Sequence, residues 1–86
     1  MLKAIFSRQA SKIIEKLIKK DPKISRLLSK KINDLLINPI PLTSKKLVNK
    51  PYYRVRVGNY RIVYAYDNHH LNILIIEKRD KVYKNS

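Results

Sequence analysis

Cysteine is absent from this 86-residue chain, which excludes a disulfide framework and any thiolate-held metal. Acids are scarce: six Asp and Glu stand against twenty Lys and Arg, a formal net charge of +14. With only two histidines, adjacent at 69 and 70, so few scattered carboxylates argue against a catalytic zinc or dinuclear centre, and no cofactor is expected. Long apolar runs are missing too. None approaches the ~20 residues of a membrane span. The opening residues MLKAIFSRQASK hold no signal-peptide core, so the expectation is a cytoplasmic chain with no membrane contact. Glycine occurs once, at Gly58. What is present is a 44% hydrophobic complement, too much for a disordered basic tail. The length suits one domain, residues 1–86, with a lean core, since a chain of this size buries only ~60% of its unfolded surface. Such a charge makes nucleic acid the first expected partner and an acidic protein the second.

Hydrophobic periodicity orders the chain. Residues 2–6 read as an opening strand and Ser7 as the N-cap of a helix. Ala10, Ile13, Ile14, Leu17 and Ile18 form one apolar stripe of that helix. Asp21-Pro22 breaks it and starts a second, with Asp as N-cap and Pro at the first helical position. There the stripe is Ile24, Leu27, Leu28, Ile32, Leu35 and Leu36, ending at Asn38-Pro39. Residues 39–51 (PIPLTSKKLVNKP) hold three of the four prolines and read as a loop. Beyond them the period changes to two. Residues 52–57 (YYRVRV) and 60–66 (YRIVYAY) alternate around Gly58-Asn59, and residues 71–76 (LNILII) read as a central strand. Residues 77–86 (EKRDKVYKNS) are a polar tail with room for a short edge segment. The fold class is α+β, in the order β-α-α-β-β-β, with a helical hairpin on one face of a small antiparallel-rich sheet.

Pairing arithmetic makes the hairpin informative. A two-residue Gly58-Asn59 loop suits a type II′ turn and sets Arg56 opposite Arg61 and Arg54 opposite Val63. Tyr53, Val55, Val57, Tyr60, Ile62 and Tyr64 then share the helix-facing side, and Arg54, Arg56 and Arg61 the other. Two arginines directly opposed repel unless an anion sits between them. Residues 1–53 carry 13 basic residues of which two are arginine, whereas residues 54–86 carry seven of which four are. The guanidinium fork suits bidentate phosphate binding, so this concentration points to a phosphate site. Each arginine alone reads equally as an exposed strand position in a basic protein; their convergence argues for function. Tyr83 either stacks on a base or packs at a sheet edge, and Tyr52 is a further stacking candidate. His69 and His70 could suggest paired-imidazole chemistry, but they fall at a hairpin tip and read as loop residues.

The run YYRVRVGNYRIVYAYDNHHLNILIIEKRDKVYK resembles the C-terminal half of the RelE/ParE toxin superfamily. There a strand of alternating basic residues, a Gly-Asp/Asn turn, a Y-R-[IL]-[IV]-Y strand and a basic tail with R-x-x-V-Y recur. The strand, helical hairpin and proline-containing loop before it match the family order, so the resemblance covers essentially the whole chain. It implies a RelE-like fold and the toxin half of a type II toxin–antitoxin pair. RelE-type members enter the ribosomal A site and cleave mRNA; ParE-type members poison DNA gyrase without being nucleases. Carried over by position, Arg54 and Arg56 fall where RelE-type toxins hold two basic active-site residues, commonly lysines. Arg61 matches the phosphate-binding arginine, Arg79 the tail arginine and Tyr83 the tail tyrosine.

The implied chemistry needs no metal: the ribose 2′-hydroxyl attacks the adjacent phosphate, leaving a cyclic or 3′-phosphate and a free 5′-hydroxyl. Arg61 and Arg56 suit the phosphate charge and Tyr83 suits stacking or proton transfer. Arg54 is the departure, because arginine stays protonated and is a poor general base. Tyr83, Lys78 or Lys81 then supplies the base, or catalysis is mostly positioning and charge neutralisation, or this relative is weak. Tyr52, Lys78, Lys81 and Lys84 are the candidate RNA contacts. The partners implied are the ribosome with its mRNA, and a cognate antitoxin whose acidic segment covers the basic surface. A gyrase-binding toxin and a non-catalytic RNA-binding relative are the alternatives; the full set Arg54, Arg56, Arg61, Arg79 and Tyr83 favours the nuclease.

Overall fold

A computed structural model describes residues 1–79. Strand β1 (Lys3–Phe6) leads into helix α1 (Arg8–Lys20), whose first turn is capped by the Ser7 hydroxyl accepting from the Ala10 N–H at 3.0 Å. Helix α2 (Pro22–Ile37) follows after a single residue. Asp21 serves both helices: its N–H donates to Leu17 O at 2.8 Å, and its carboxylate accepts from Ile24 N at 3.3 Å. Strands β2 (Lys45–Lys46), β3 (Tyr53–Val57), β4 (Tyr60–Tyr66) and β5 (His70–Lys78) complete one sheet in the order β1-β5-β4-β3-β2. β1 lies parallel to β5 and the other pairings are antiparallel. This is the α+β arrangement expected, with one strand more: β2 lies in the proline-rich segment read as loop and caps the β3 edge.

The core lies between one sheet face and the two helices. Val55, Ile62, Tyr64, Leu71, Ile73 and Ile76 from the sheet meet Ala10, Leu17, Ile24, Leu28, Ile32 and Leu35. Two stripe positions depart from expectation: Ile18 is 56% exposed and Leu27 45%. At ~100° per residue Ile18 sits ~80° from Ala10, and Leu27 ~100° from Leu28, so each overhangs the buried stripe. Gly58 has φ +59°, the left-handed value that the first position of a type II′ turn requires, and a Cβ there would meet Ile24 Cδ1 at 3.1 Å. One glycine therefore satisfies both the turn and the close approach of α2.

Gln9 does the work of a missing strand. β1 pairs with β5 only from His70 to Ile73, leaving later outward backbone groups of β5 without a ladder partner. The Gln9 amide donates to Ile76 O at 2.8 Å and accepts from Ile76 N at 3.0 Å. β5 thus continues, past a register shift opposite Val63 and Tyr64, to Lys78. The strand is longer than the expected 71–76 and takes Glu77 and Lys78 out of the tail.

Candidate functional site

The face of the sheet away from the helices carries the arginines. β3 and β4 pair with Arg56 opposite Arg61, Arg54 opposite Val63 and Val57 opposite Tyr60. The buried Val55, Val57, Tyr60 and Ile62 fix the phase, because their neighbours along each strand must point the other way. Arg56 is exposed and Arg54 and Arg61 are half-buried. Lys45 pairs with Arg54 and so adds a fourth cation to this face, and Glu77 pairs with Arg61 from β5. Tyr52, just before β3, shares the alternation phase of Arg54 and is half-buried.

Arg79 comes to the same end of the sheet by a different route. Its backbone N–H donates to Asn59 O at 2.8 Å, and its Nη1 donates to Gly58 O at 3.5 Å. Its Nε is buried without a hydrogen-bond partner among the described residues. The guanidinium therefore rests on the turn that Arg56 and Arg61 flank. Lys78 goes elsewhere. It pairs with Tyr60, which places it in the helix-facing phase, and it lines an open cleft with Lys16, Lys20, Leu17 and Tyr60. Its register keeps it out of the row that holds Arg56 and Arg61. Lys81, Tyr83 and Lys84 lie outside the described residues.

The histidines belong to another part of the molecule. The Asp67 carboxylate accepts from the N–H groups of His69 and His70 at 2.8 Å each, and those bonds hold its pKa below the usual carboxylate range. This turn lies at the far end of the β4–β5 hairpin, six residues and ~20 Å along the strand from Arg61. Tyr64 is likewise structural: wholly buried, it donates to Pro39 O at 2.6 Å, stacks on Tyr53 at 5.9 Å, and has its pKa raised by burial. Three arginines and Lys45 on the sheet face away from the helices, with Arg79 held at the turn that ends it, can bind a polyanion and oppose charge developing on a phosphate. Reasoning from sequence missed Lys45 and Glu77. Lys45 sits in a strand too short to show alternation, and Glu77 lies beyond a bulge that shifts the alternation of β5.

A family model described as the ParE toxin of type II toxin–antitoxin system, parDE, matches residues 4–83. A search of curated proteins finds no match. Among solved structures, the YoeB dimer from Staphylococcus aureus superposes with a TM-score of 0.78 at 23% identity, over 88% of this chain and 94% of that one. The YoeB/ParE toxin from Agrobacterium tumefaciens gives 0.79 at 15% identity, over 90% and 98%. The archaeal RelE–RelB complex from Pyrococcus horikoshii gives 0.74 at 23% identity, over 91% and 94%. At these identities the likeness establishes a shared fold.

Proposed function

As the chain belongs to the ParE toxin family of type II toxin–antitoxin systems, we propose that it acts as a ribosome-dependent endoribonuclease and inhibits translation by cleaving mRNA in the ribosomal A site. One observation carries this reading: Arg56 directly opposes Arg61, with Arg54 on the same face, away from the helices. Two guanidiniums set face to face repel, and an anion shared between them relieves that repulsion. A phosphodiester is such an anion, and arginine binds it with paired, directional N–H donors. In this mechanism Arg56 and Arg61 hold the scissile phosphate and neutralise the charge that builds on its oxygens as the 2′-hydroxyl attacks. Arg79, anchored at the β3–β4 turn, closes one end of the site, and Tyr52 and Tyr83 offer rings on which a base stacks. The protein works in the cytoplasm, where the ribosomes are, and requires no cofactor.

The cognate antitoxin in this reading presents an acidic segment to the +14 surface, which speeds association and makes it salt-sensitive. The solved S. aureus YoeB–YefM and E. coli DinJ–YafQ complexes are toxins of this fold held by their own antitoxins. A second reading has an observation of its own: the matching family is described by the ParE name, and ParE-type members act on gyrase. Inducing the chain in bacteria separates the two. Mapping transcript 5′ ends on ribosomes, alongside a gyrase supercoiling assay, gives codon-phased cuts with normal supercoiling under the nuclease reading, and blocked supercoiling with intact transcripts under the other.

A further inference from the structure

The register that sets Arg56 against Arg61 also sets Glu77 against Arg61 on its other flank. Glu77 is therefore the third member of one row crossing β3, β4 and β5 on the face away from the helices. Its phase is fixed by Ile76, which is wholly buried and pairs with Ile62 in the core. The extension of β5 to Lys78, held by Gln9, brings the carboxylate there. We propose that Glu77 is the proton acceptor of this site, taking the 2′-hydroxyl proton of the bound RNA; the proposal rests on the nuclease reading above.

Among the described residues of this row, Glu77 alone carries a group able to accept a proton. The guanidinium groups of Arg54, Arg56 and Arg61 present N–H donors and no acceptor. Lys78 stands in the helix-facing phase, opposite Tyr60. Directly opposed residues in an antiparallel pair place their Cβ atoms ~4.5–5.5 Å apart. With a phosphate clasped by Arg56 and Arg61, the sugar that carries the attacking hydroxyl falls within reach of the neighbouring strand, where Glu77 stands. Among the described residues, the charged groups beside Glu77 in the sheet are Arg61 from β4, Arg56 beyond it on β3, and Lys78 and Arg79 next in the chain. Lys16, Lys20 and Asp21 line, together with Lys78 and Glu77 itself, the cleft between α1 and the end of β5. In the step, the 2′-O–P bond forms as the proton passes to Glu77, and the P–O5′ bond breaks. The leaving 5′-oxygen takes a proton from water and Glu77 returns its own to solvent, so the transfer needs no co-reactant.

A purely electrostatic role for Glu77, balancing the arginines, makes a different forecast, so rate and binding are measured separately. Rate is read as single-turnover cleavage by saturating protein on ribosomes programmed with a defined mRNA. Binding is read on the same ribosomes with an uncleavable 2′-O-methyl mRNA. Glu77→Gln should slow cleavage by about 10²–10⁴-fold, the usual contribution of a positioned base, while binding is unchanged or tighter. Glu77→Asp, which keeps the carboxylate, should recover part of the rate. A Glu77→Gln variant that binds more tightly and cleaves at the wild-type rate overturns the proposal. Wild-type protein that cleaves no mRNA overturns the nuclease reading itself, a distinct outcome from cleavage that is indifferent to Glu77.

Discussion

Replacing Arg61 by glutamine should separate function from stability. Arg61 has one like-charged and one opposite-charged cross-strand neighbour, Arg56 and Glu77. Each such pair is worth ~0.2–1 kcal/mol, with opposite signs, so their loss nearly cancels. The half-buried side chain also leaves no core cavity when shortened. The net change in stability should stay below ~1 kcal/mol, which for a domain of this size moves Tm by less than ~4–8 °C. The catalytic effect should be far larger. A donor aimed at developing phosphate charge contributes about 10²–10³-fold in rate, or ~2.7–4 kcal/mol of transition-state stabilisation. Thermal denaturation of purified Arg61→Gln, growth after induction at matched expression, and single-turnover cleavage read the two quantities independently. A variant that melts like the wild type but stays fully toxic refutes the phosphate-site assignment. One that melts far lower shows that Arg61 serves the fold.

Other consequences follow from the scaffold. Gln9→Ala strands the N–H and C=O of Ile76 and should lower unfolding free energy by ~1–3 kcal/mol in urea titration, whereas an unchanged midpoint would mean the clamp contributes nothing. Gly58→Ala puts a side chain at φ +59° and 3.1 Å from Ile24 Cδ1, so it should cost at least ~1–2 kcal/mol in the same assay. Tyr64→Phe removes the bond to Pro39 O, a loss of ~0.5–1.5 kcal/mol near neutral pH. Because burial raises the folded-state Tyr64 pKa, its contribution is full below the unfolded value of ~10 and is lost as pH rises through the folded one. Thermal melts from pH 8 to 11 should therefore fall less steeply for Tyr64→Phe than for the wild type, and parallel curves would contradict this.

The hairpin was legible because three local signals agreed: strict alternation in residues 52–57, a lone glycine before asparagine, and alternation again from Tyr60. Together they set both the register and the face of every arginine, and the observed pairing of Arg56 with Arg61 is the one they imply. The capping of both helices was legible for the same reason, since Ser7 and Asp21-Pro22 act within one turn. What escaped depends on contacts distant in sequence. Lys45 and Lys46 become a strand only because Tyr53 and Arg54 lie beside them. Gln9 is an ordinary exposed helix residue until Ile76, 67 positions away, is folded against it. The bulge in β5 shifts the alternation, so Glu77 looked like the start of a polar tail, although it ends a row of charges that the arginines begin. Ile18 and Leu27 show the converse: the period is right, but the neighbouring elements cover less of each helix than its apolar residues span.

The central claim is that the arginine face cleaves RNA by 2′-hydroxyl attack, and the chemistry of the cut ends tests it most directly. Purified protein would be mixed with ribosomes programmed with an end-labelled mRNA, and the products resolved before and after phosphatase and kinase treatment. The account predicts a 5′-hydroxyl on the downstream fragment and a 2′,3′-cyclic or 3′-phosphate on the upstream one, both lost in folded Arg61→Gln. Fragments with 5′-phosphate and 3′-hydroxyl ends, or intact mRNA from wild-type protein that instead blocks gyrase supercoiling, would contradict it.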